Sequence, residues 1–391
     1  MKSICIVTST RTDYGILKPL ILGFMGDAEF EMRLAVTGSH LSRKYGMTVN
    51  EIEKDQIPID CRIPILSDGD TPEAASTAMA KALLGFSEYF HARRPDMLIV
   101  LGGRYEIAAI CCAAVNARIS IAHIHGGETT EGAIDECYRH SITKMSYLHF
   151  AACEVCRRRI IQLGEAPERV FNVGALGVEN VLKNPKLTQD ELSALIGFDF
   201  HKPYAVMTFH PATRENGTER EQCEALFSAL DEYPQVGLLI TKSNADPEGQ
   251  RGNEAIDAFA SRRDNCKAVS SLGVLRYLSA LQHAEFVIGN SSGGIVEAPS
   301  FGIPTINIGD RQKGRLRADS IIDCNAEKDA IARAIEKALS AAFRSKARHT
   351  TNPYGAGNTA AQIKNTIKEC LLNDRIHLKK SFYDIPFEVT Q

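Results

Sequence analysis

The residues best suited to bind an anion are concentrated in one short run, Ile288 to Pro299. Ser291 and Ser292 follow an apolar, strand-like stretch and open a helix-like one, with Gly293 directly behind them. A helix N-terminus offers unpaired N–H groups and the positive end of the helix dipole, and glycine lets the main chain approach an anion closely. Arg311 follows as a source of positive charge. The run therefore predicts a diphosphate site, and a sugar nucleotide is the ligand class that fits it.

Short apolar runs alternate with segments of helical periodicity along nearly the whole chain. This alternation is typical of parallel sheets covered by helices on both faces. The predicted strands are Ile4–Thr8, Arg33–Thr37, Met97–Leu101, Ser120–Ile124, Val170–Val173, Tyr204–Phe209, Gly237–Thr241, Lys267–Ser270, Glu285–Ile288 and Thr305–Ile308. We expect an α/β protein with two Rossmann-like doubly wound domains facing a cleft, residues 1–178 and 179–370, and a C-terminal extension over residues 371–391.

Composition excludes several classes of protein. The chain has 391 residues, of which 44% are hydrophobic and 24% charged, with a formal net charge of −3, so nothing favours nucleic acid or an anionic membrane as a partner. The N-terminus turns polar at Ser9, too early for a signal peptide, and no apolar run approaches the roughly 20 residues of a membrane span. Eleven scattered cysteines are typical of a reducing compartment. These features predict a cytoplasmic protein.

Cys153 and Cys156 form a C-x-x-C motif, but no second pair follows at the spacing of a zinc ribbon. The pattern therefore favours two cysteines packed on adjacent turns of a helix over a metal-binding or redox pair. Patterns for ATP or NAD binding are also absent from the sequence. We therefore expect no metal and no cofactor.

Polar clusters follow the predicted strands, where ligands bind in doubly wound sheets. The clusters are Ser9–Gly15, Gly102–Glu106, His125–Glu128, Asp135–His140, His210 with Pro211, and Lys242–Asp246. Their repeated position predicts that these segments carry the functional groups. Two residues also have purely structural interpretations. His123 alternates on a strand as a core histidine would, and Arg139 fits a solvated helix face as well as it fits a functional role.

In these clusters the chain resembles the hydrolysing UDP-N-acetylglucosamine 2-epimerases of bacterial sialic-acid and legionaminic-acid pathways. The resemblance spans essentially the whole chain, and its anchors are Arg11–Tyr14, Gly102–Glu106, His123–Glu128, Arg139–Lys144, Gly289–Gly293 and Gly309–Gln312. It implies a GT-B-like pair of Rossmann domains and a homodimer or homotetramer. The implied reaction converts UDP-N-acetylglucosamine and water to N-acetylmannosamine and UDP, for surface polysaccharide biosynthesis. An alternative substrate is UDP-2,4-diacetamido-2,4,6-trideoxyglucose.

The resemblance also implies roles for individual residues. Acid–base catalysis and orientation of the sugar would fall to Glu128, Asp135, His125, His210 and Arg104. Substrate and UDP binding would fall to Arg11, Asp13, Gly103, His210, Asn244, Leu272, Ser291, Ser292, Gly293, Glu297 and Arg311. The serines would hold phosphate oxygens, Glu297 would accept from the ribose hydroxyls and Leu272 would lie against the uracil. The implied domain roles are acid–base chemistry in the first domain and nucleotide binding in the second.

Two positions depart from the family pattern. The family usually has aspartate, one of its proposed acid–base groups, where this chain has Gly103. We expect this glycine to impair catalysis unless Glu106 or Asp13 supplies the missing carboxylate. His125 stands where other members have glutamate, and imidazole keeps an acid–base role near neutral pH.

Three other functions fit parts of the pattern. Gly289–Gly293 satisfies the G-x-S-x-G motif of α/β-hydrolases, and Asp310 and His349 follow Ser291 in the order of a catalytic triad. Against this, His125 and the two glycines after it, which faintly match an oxyanion loop, come from the other predicted domain. A GT-B glycosyltransferase would share the predicted fold, and a catalytically impaired UDP-sugar binder is compatible with Gly103.

Overall fold

A computed structural model gives the structure of the chain. The described residues are 1–67, 71–130, 134–209, 219–242 and 249–386, with backbone alone for 219, 220 and 249–251. Two compact units account for them. The first contains Met1–Glu128, Ile134–Glu179 and the segment from Gly355 onward, and the second contains Asn180–Tyr354 with Thr129 and Thr130.

The first unit is built on a seven-stranded sheet in which neighbouring strands are parallel. Its strands are β1 (Lys2–Thr8), β2 (Phe30–Thr37), β3 (Cys61–Ile63), β4 (Met97–Leu101), β5 (Ser120–Ile124), β6 (Leu148–Ala151) and β7 (Val170–Asn172). They lie in the order β3-β2-β1-β4-β5-β6-β7. Because this order reverses between β1 and β4, the carboxyl ends of those two strands form the crevice where doubly wound sheets bind ligands.

The second unit repeats this design with six parallel strands. They are β8 (Tyr204–Thr208), β9 (Gly237–Thr241), β10 (Cys266–Val269), β11 (Phe286–Gly289), β12 (Thr305–Ile308) and β13 (Ile321–Cys324). The order is β10-β9-β8-β11-β12-β13, so the reversal falls between β8 and β11. The anion-binding run predicted from the sequence begins at the end of β11, at this reversal.

Helices cover both faces of each sheet, as the fully buried strands β4 and β5 require. They are α1 (Arg11–Met25), α2 (Val49–Lys54), α3 (Pro72–Arg93), α4 (Tyr105–Asn116), α5 (Asp135–Met145), α6 (Glu154–Gln162), α7 (Leu176–Lys183), α8 (Gln189–Ile196), α9 (Glu219–Leu230), α10 (Gly249–Ser261), α11 (Gly273–Gln282), α12 (Ser292–Val296), α13 (Lys328–Leu339), α14 (Ala341–Arg348) and α15 (Thr359–Leu372). None of the helices in the described ranges is long and apolar enough to cross a membrane.

The C-terminal helix α15 belongs to the first unit, whereas the sequence analysis placed residues up to 370 in the second domain. The physical reason is its apolar face: Ile363 and Ile367 are completely buried in the same core cluster as the apolar residues of α1. At its start, the Thr359 hydroxyl donates to the carbonyl of Val173 at 2.9 Å. The helix therefore completes one face of the first sheet.

Candidate functional site

The polar residues at the carboxyl ends of β1 and β4 meet around the guanidinium of Arg104. This residue is the N-cap of α4, directly behind β4, and its Nε–H donates to Glu106 Oε1 at 2.6 Å. The negative charges of Glu106, Asp13 and Asp135 raise the pKa of Arg104 above its usual range, although burial opposes them. Three carboxylates from three different segments thus act electrostatically on one cation, and two of them, Asp13 and Asp135, are residues that the family resemblance marks.

Asp13 is held in the first turn of α1 by two hydrogen bonds with neighbouring hydroxyl groups. Its backbone N–H donates to the Thr10 hydroxyl at 3.2 Å, and the Ser9 hydroxyl donates to Asp13 Oδ2 at 2.9 Å. Burial raises the pKa of the Asp13 carboxyl against the opposing charge of Arg104, and the neighbouring Glu106 raises it further. A carboxyl that retains its proton more readily is suited to general acid–base chemistry.

Glu106 is the most enclosed member of this group, with 1% of its surface exposed. Its Oε1 accepts from Arg104, while Oε2 has no hydrogen-bond partner among the described residues. A buried carboxylate needs a compensating charge. Glu106 therefore orients Arg104. This role was not predicted, because Glu106 was expected only as a possible replacement for the missing aspartate.

The loop after β5 brings His125 to Glu128. His125 has a left-handed backbone with φ of 62°, and its N–H donates to the carbonyl of Phe150 at 2.9 Å. Its Nδ1 lies 3.5 Å from Glu128 Oε1, and Glu128 is buried. An imidazole beside a carboxylate is a common acid–base pair. His123 on β5 is, as predicted, a hydrogen-bonded core residue: burial lowers its pKa to about 3, and its ring nitrogens contact the Gly102 carbonyl and the Thr143 hydroxyl.

Helix α5 closes against Gly103 and leaves no space for a side chain there. A β-carbon on Gly103 would lie 2.6 Å from Arg139 Cβ and 2.9 Å from the carbonyl oxygen of Asp135. Arg139 is itself buried, with an Nη1–H that donates to the His125 carbonyl at 3.4 Å. Of the two interpretations of Arg139, the solvated helix face does not hold, because the side chain turns inward to the loop after β5.

In the second unit, the turn after β11 depends on Gly289. A β-carbon there would lie 2.0 Å from the Thr208 carbonyl oxygen, and its φ of 134° favours glycine. The chain then passes through Asn290, whose carbonyl accepts from Arg311 Nη1 at 3.0 Å and Gln312 Nε2 at 2.8 Å. Ser291 follows as the N-cap of α12, and its hydroxyl accepts from the N–H of Gly293 at 3.4 Å. The structure thus brings Ser291, Gly293 and Arg311 together at one strand end.

Behind this turn, Gly293 makes room for two polar side chains. A β-carbon on Gly293 would lie 2.8 Å from the Tyr277 hydroxyl and 3.1 Å from Glu297 Oε2. Burial raises the pKa of Glu297 to about 7, so its carboxyl holds a proton more readily than an exposed glutamate. The pKa of Tyr277 is raised by burial and by the charge of Glu297. Tyr277 belongs to no recognisable motif and was not predicted as a site residue. Its position one helix turn after Gly273 is the one sequence feature that points to it.

The remaining predicted residues lie in different environments. Leu272 is 3% exposed and belongs to a core cluster of the second unit, so its side chain mainly packs in the core. Arg11, at the start of α1, is partly buried, and Ser292 is exposed. His210 and Asn244 lie outside the described residues. Among the residues that are described, no group of three His, Cys, Asp or Glu side chains is placed to hold a metal ion.

The geometry does not favour a serine hydrolase. Ser291 has an ordinary extended backbone, with φ of −76° and ψ of 145°, instead of the strained turn of a nucleophile elbow. Its hydroxyl caps α12, while His349 Nδ1 lies 2.8 Å from the Ser345 carbonyl. Ser291 is therefore a helix-capping residue in this structure.

Comparison with known proteins identifies relatives along the entire chain. The family model described as UDP-N-acetylglucosamine 2-epimerase matches residues 24–368. A "GDP/UDP-N,N'-diacetylbacillosamine 2-epimerase (hydrolyzing)" of Campylobacter jejuni is 37% identical, covering 98% of this chain and 99% of its own. The polysialic acid biosynthesis protein P7 of Escherichia coli is also 37% identical, over 99% of this chain and 98% of its own.

Solved structures share the fold. The UDP-GlcNAc 2-epimerase of Neisseria meningitidis, bound to UDP-GlcNAc, matches with a TM-score of 0.80 at 18% identity, covering 94% of this chain and 100% of its own. The enzyme of Methanocaldococcus jannaschii, in complex with UDP-GlcNAc and UDP, matches with a TM-score of 0.77 at 19% identity and the same coverage. The expected pair of doubly wound α/β sheets is therefore confirmed.

Proposed function

The chain belongs to the UDP-N-acetylglucosamine 2-epimerase family, and from this premise we propose that it is a hydrolysing 2-epimerase. The reaction converts UDP-N-acetylglucosamine and water to N-acetylmannosamine and UDP. Relatives that are 37% and 33% identical over nearly their full lengths carry the word hydrolyzing in their names, which supports hydrolysis as the outcome.

The reaction must overcome the low acidity of the C2 proton, because a pyranose has no carbonyl next to C2. Departure of UDP from C1 through an oxocarbenium-like state makes that proton acidic. Elimination then leaves a 2-acetamidoglucal, and water adds to C1 while C2 is protonated on the opposite face. This path needs acid and base groups at C2 and C1 and stabilisation of the departing diphosphate.

The group around Arg104 carries the proposal, because it combines a fixed positive charge with a carboxyl of raised pKa. We assign Asp13 the acid–base role that the family gives to aspartate at position 103. Arg104 orients the sugar, and Glu106 positions Arg104 through their 2.6 Å hydrogen bond. Glu128, with His125 at 3.5 Å, supplies the second acid–base group. This assignment makes the protein an active enzyme, in contrast to the impairment expected from Gly103.

In the second unit, Ser291, Ser292 and Arg311 bind the diphosphate of UDP. The N–H groups that open α12 and the guanidinium next to Asn290 provide the donors for phosphate oxygens. Glu297 accepts from the ribose hydroxyls, and Tyr277 lies beside it. We expect Glu297→Gln to weaken UDP binding about 10- to 100-fold, the usual value of a hydrogen bond to a charged group.

Turnover of UDP-N-acetylglucosamine by the wild type and three variants tests the proposal. Asp13→Asn should lower kcat by about 10²–10⁴-fold, as expected for loss of an acid–base group. Glu106→Gln should lower kcat less and shift the limb of the pH profile that reports Asp13 toward lower pH, because the charge of Glu106 raises the pKa of that carboxyl. The matched control is Glu73→Gln, an exposed carboxylate at the start of α3, which should change nothing. Full activity in Asp13→Asn would overturn the assignment.

A second substrate has specific support. Two relatives, 37% and 33% identical, are named for N,N'-diacetylbacillosamine sugars. The corresponding substrate, UDP-2,4-diacetamido-2,4,6-trideoxyglucose, would pass through the same elimination and hydration. Parallel measurement of kcat/KM for the two UDP-sugars decides between them, and the higher value identifies the substrate.

We also propose a cytoplasmic homodimer or homotetramer. The cysteines are all free thiols in the structure, which supports a reducing compartment. Light scattering of the purified chain tests the assembly, and a monomer at working concentration would contradict it.

A further inference from the structure

Two buried thiols lie in contact at the start of helix α6. The Sγ atoms of Cys153 and Cys156 are 3.1 Å apart, and the residues are 2% and 5% exposed. The prediction that both lie on adjacent helix turns is wrong, because Cys153 precedes the helix as its N-cap. Its extended backbone, with φ of −160° and ψ of 168°, directs the side chain toward Cys156.

The two thiols differ in acidity. A hydrogen bond with Cys156 lowers the pKa of Cys153 to about 7, against the opposing effect of burial. The same hydrogen bond, together with burial, raises the pKa of Cys156. A C-x-x-C pair with the first thiol at a helix N-terminus is the arrangement that stabilises a nucleophilic thiolate. Cys153 is therefore the attacking thiol of the pair, and Cys156 is the thiol that resolves.

This pair is packed against the loop that carries His125 and Glu128. A β-carbon on Gly127 would lie 2.3 Å from the carbonyl oxygen of Cys156, so the loop rests directly on the first turn of α6. From the next turn, Arg159 donates a hydrogen bond to the Gly127 carbonyl. The charge of Glu128 also acts on both thiols, raising the pKa of each. A movement of the two sulfur atoms would therefore be transmitted to Glu128 through the direct contacts between α6 and this loop.

We propose that Cys153 and Cys156 are a redox switch, in which a peroxide converts them to a disulfide that displaces Glu128 and lowers turnover. The Cys153 thiolate attacks one oxygen of hydrogen peroxide, forming a sulfenic acid and releasing hydroxide, which takes up a proton to become water. Cys156 loses its proton, attacks the Cys153 sulfur and displaces the second water. In total, two thiols are oxidised to one disulfide and one peroxide is reduced to two waters.

The geometry fits this step in two respects. Closing a 3.1 Å contact to a disulfide bond requires the sulfur atoms to approach by about 1 Å. Because both sulfur atoms are enclosed, only a small oxidant such as hydrogen peroxide suits the site. Among the described side chains, no group of three His, Cys, Asp or Glu residues is placed to hold a metal ion, which favours a dithiol over a metal-binding pair. A displacement of about 1 Å at a catalytic group lowers rates by up to about 100-fold. The effect on turnover rests on the role proposed for Glu128, whereas disulfide formation does not.

Peroxide titration of the full-length protein, followed by alkylation and mass spectrometry, tests the proposal. Both cysteines fall in one tryptic peptide, residues 145–157, so the disulfide makes that peptide two hydrogen atoms lighter and blocks its alkylation. We expect this change to coincide with a fall in kcat of at least about tenfold, and a dithiol reductant should reverse both. Disulfide formation is read from the mass of the peptide and does not depend on enzyme activity. Failure of the redox proposal can therefore be distinguished from failure of the proposed function.

The variants separate this pair from other cysteines. Cys153→Ser and Cys156→Ser should each abolish the peptide change and the reversible loss of activity. Matched controls are Cys112→Ser and Cys137→Ser, which remove exposed thiols and should leave the sensitivity unchanged. Two outcomes would overturn the switch: both thiols of residues 145–157 remain alkylatable while Cys112 and Cys137 are oxidised, or the disulfide forms and turnover is unaltered.

Discussion

Gly103 lies against Arg139 so closely that a β-carbon on the glycine would be 2.6 Å from Arg139 Cβ. The neighbouring contact is with backbone, the Asp135 carbonyl at 2.9 Å, which cannot rotate away as a side chain could. Helix α5 therefore occupies the space that a side chain at position 103 would need. In this protein the carboxylates that act on Arg104 belong to Asp13, Glu106 and Asp135.

Restoring the family aspartate should harm this protein. Gly103→Asp and Gly103→Ala should both reduce the free energy of unfolding by about 1–3 kcal/mol, because either side chain must displace α5. Urea denaturation measures this loss, and Gly103→Asp should show no kcat above that of Gly103→Ala. The control is Gly23→Ala, where a β-carbon would meet only Lys364 at 3.8 Å and helix propensity favours alanine. A stable Gly103→Asp variant with raised kcat would restore the prediction of impairment.

Ser291→Ala separates a phosphate-binding serine from a nucleophile. Loss of the N-cap should cost about 1 kcal/mol of stability. Loss of one hydrogen bond to phosphate should lower kcat/KM by about 10- to 100-fold, mainly through KM. Steady-state kinetics measures both parameters. Loss of a nucleophile would instead lower kcat by about 10⁶-fold, and that result would revive the hydrolase alternative.

Glu297 should make stability fall as the pH rises toward neutrality. Its folded pKa is about 7, above the value of about 4.3 for an unfolded glutamate, so the folded state binds more protons between these values. The contribution of Glu297 to the free energy of unfolding should therefore decrease by up to about 3 kcal/mol from pH about 4.5 to about 7. Denaturation of the wild type and Glu297→Gln across this range measures the difference. Parallel curves for the two proteins would contradict the raised pKa of this carboxyl.

Truncation tests the assignment of α15 to the first unit. A chain ending at Tyr354 should fail to fold its first unit, because the surface that buries Ile363 and Ile367 would be exposed. A chain ending at Leu372 should fold with about 1–3 kcal/mol less stability, because it loses the hydrogen bond from Lys380 to the buried Glu165. Solubility and thermal unfolding measure these outcomes. A folded, soluble chain ending at Tyr354 would refute the assignment.

Strands with continuous apolar runs could be predicted closely from the sequence. Met97–Leu101, Ser120–Ile124 and Gly237–Thr241 have the predicted bounds, because both faces of these strands are buried. Three short strands were missed. Cys61–Ile63 and Ile321–Cys324 are partly exposed edge strands, and Leu148–Ala151 contains His149, whose burial depends on Glu165 at 3.1 Å. Glu165 lies too far along the chain from His149 for this contact to be predicted from local periodicity.

The candidate site could be predicted in its segments but not in its contacts. Strand-end position marks Asp13, Arg104 and Ser291 from sequence alone. The inward turn of Arg139 and the approach of Tyr277 to Gly293 depend on packing between distant segments, which hydrophobic patterns do not encode. The contact between Cys153 and Cys156 depends on the extended backbone of Cys153 at the start of α6. The φ and ψ angles of a single residue cannot be inferred from hydrophobic patterns.

Proton NMR of the protein with UDP-N-acetylglucosamine in D₂O tests the proposed reaction most directly. Elimination and hydration require the C2 proton to be replaced from solvent. We expect UDP together with N-acetylmannosamine carrying deuterium at C2. Release of N-acetylglucosamine with its C2 proton retained would instead show simple hydrolysis at C1 and contradict the proposed function.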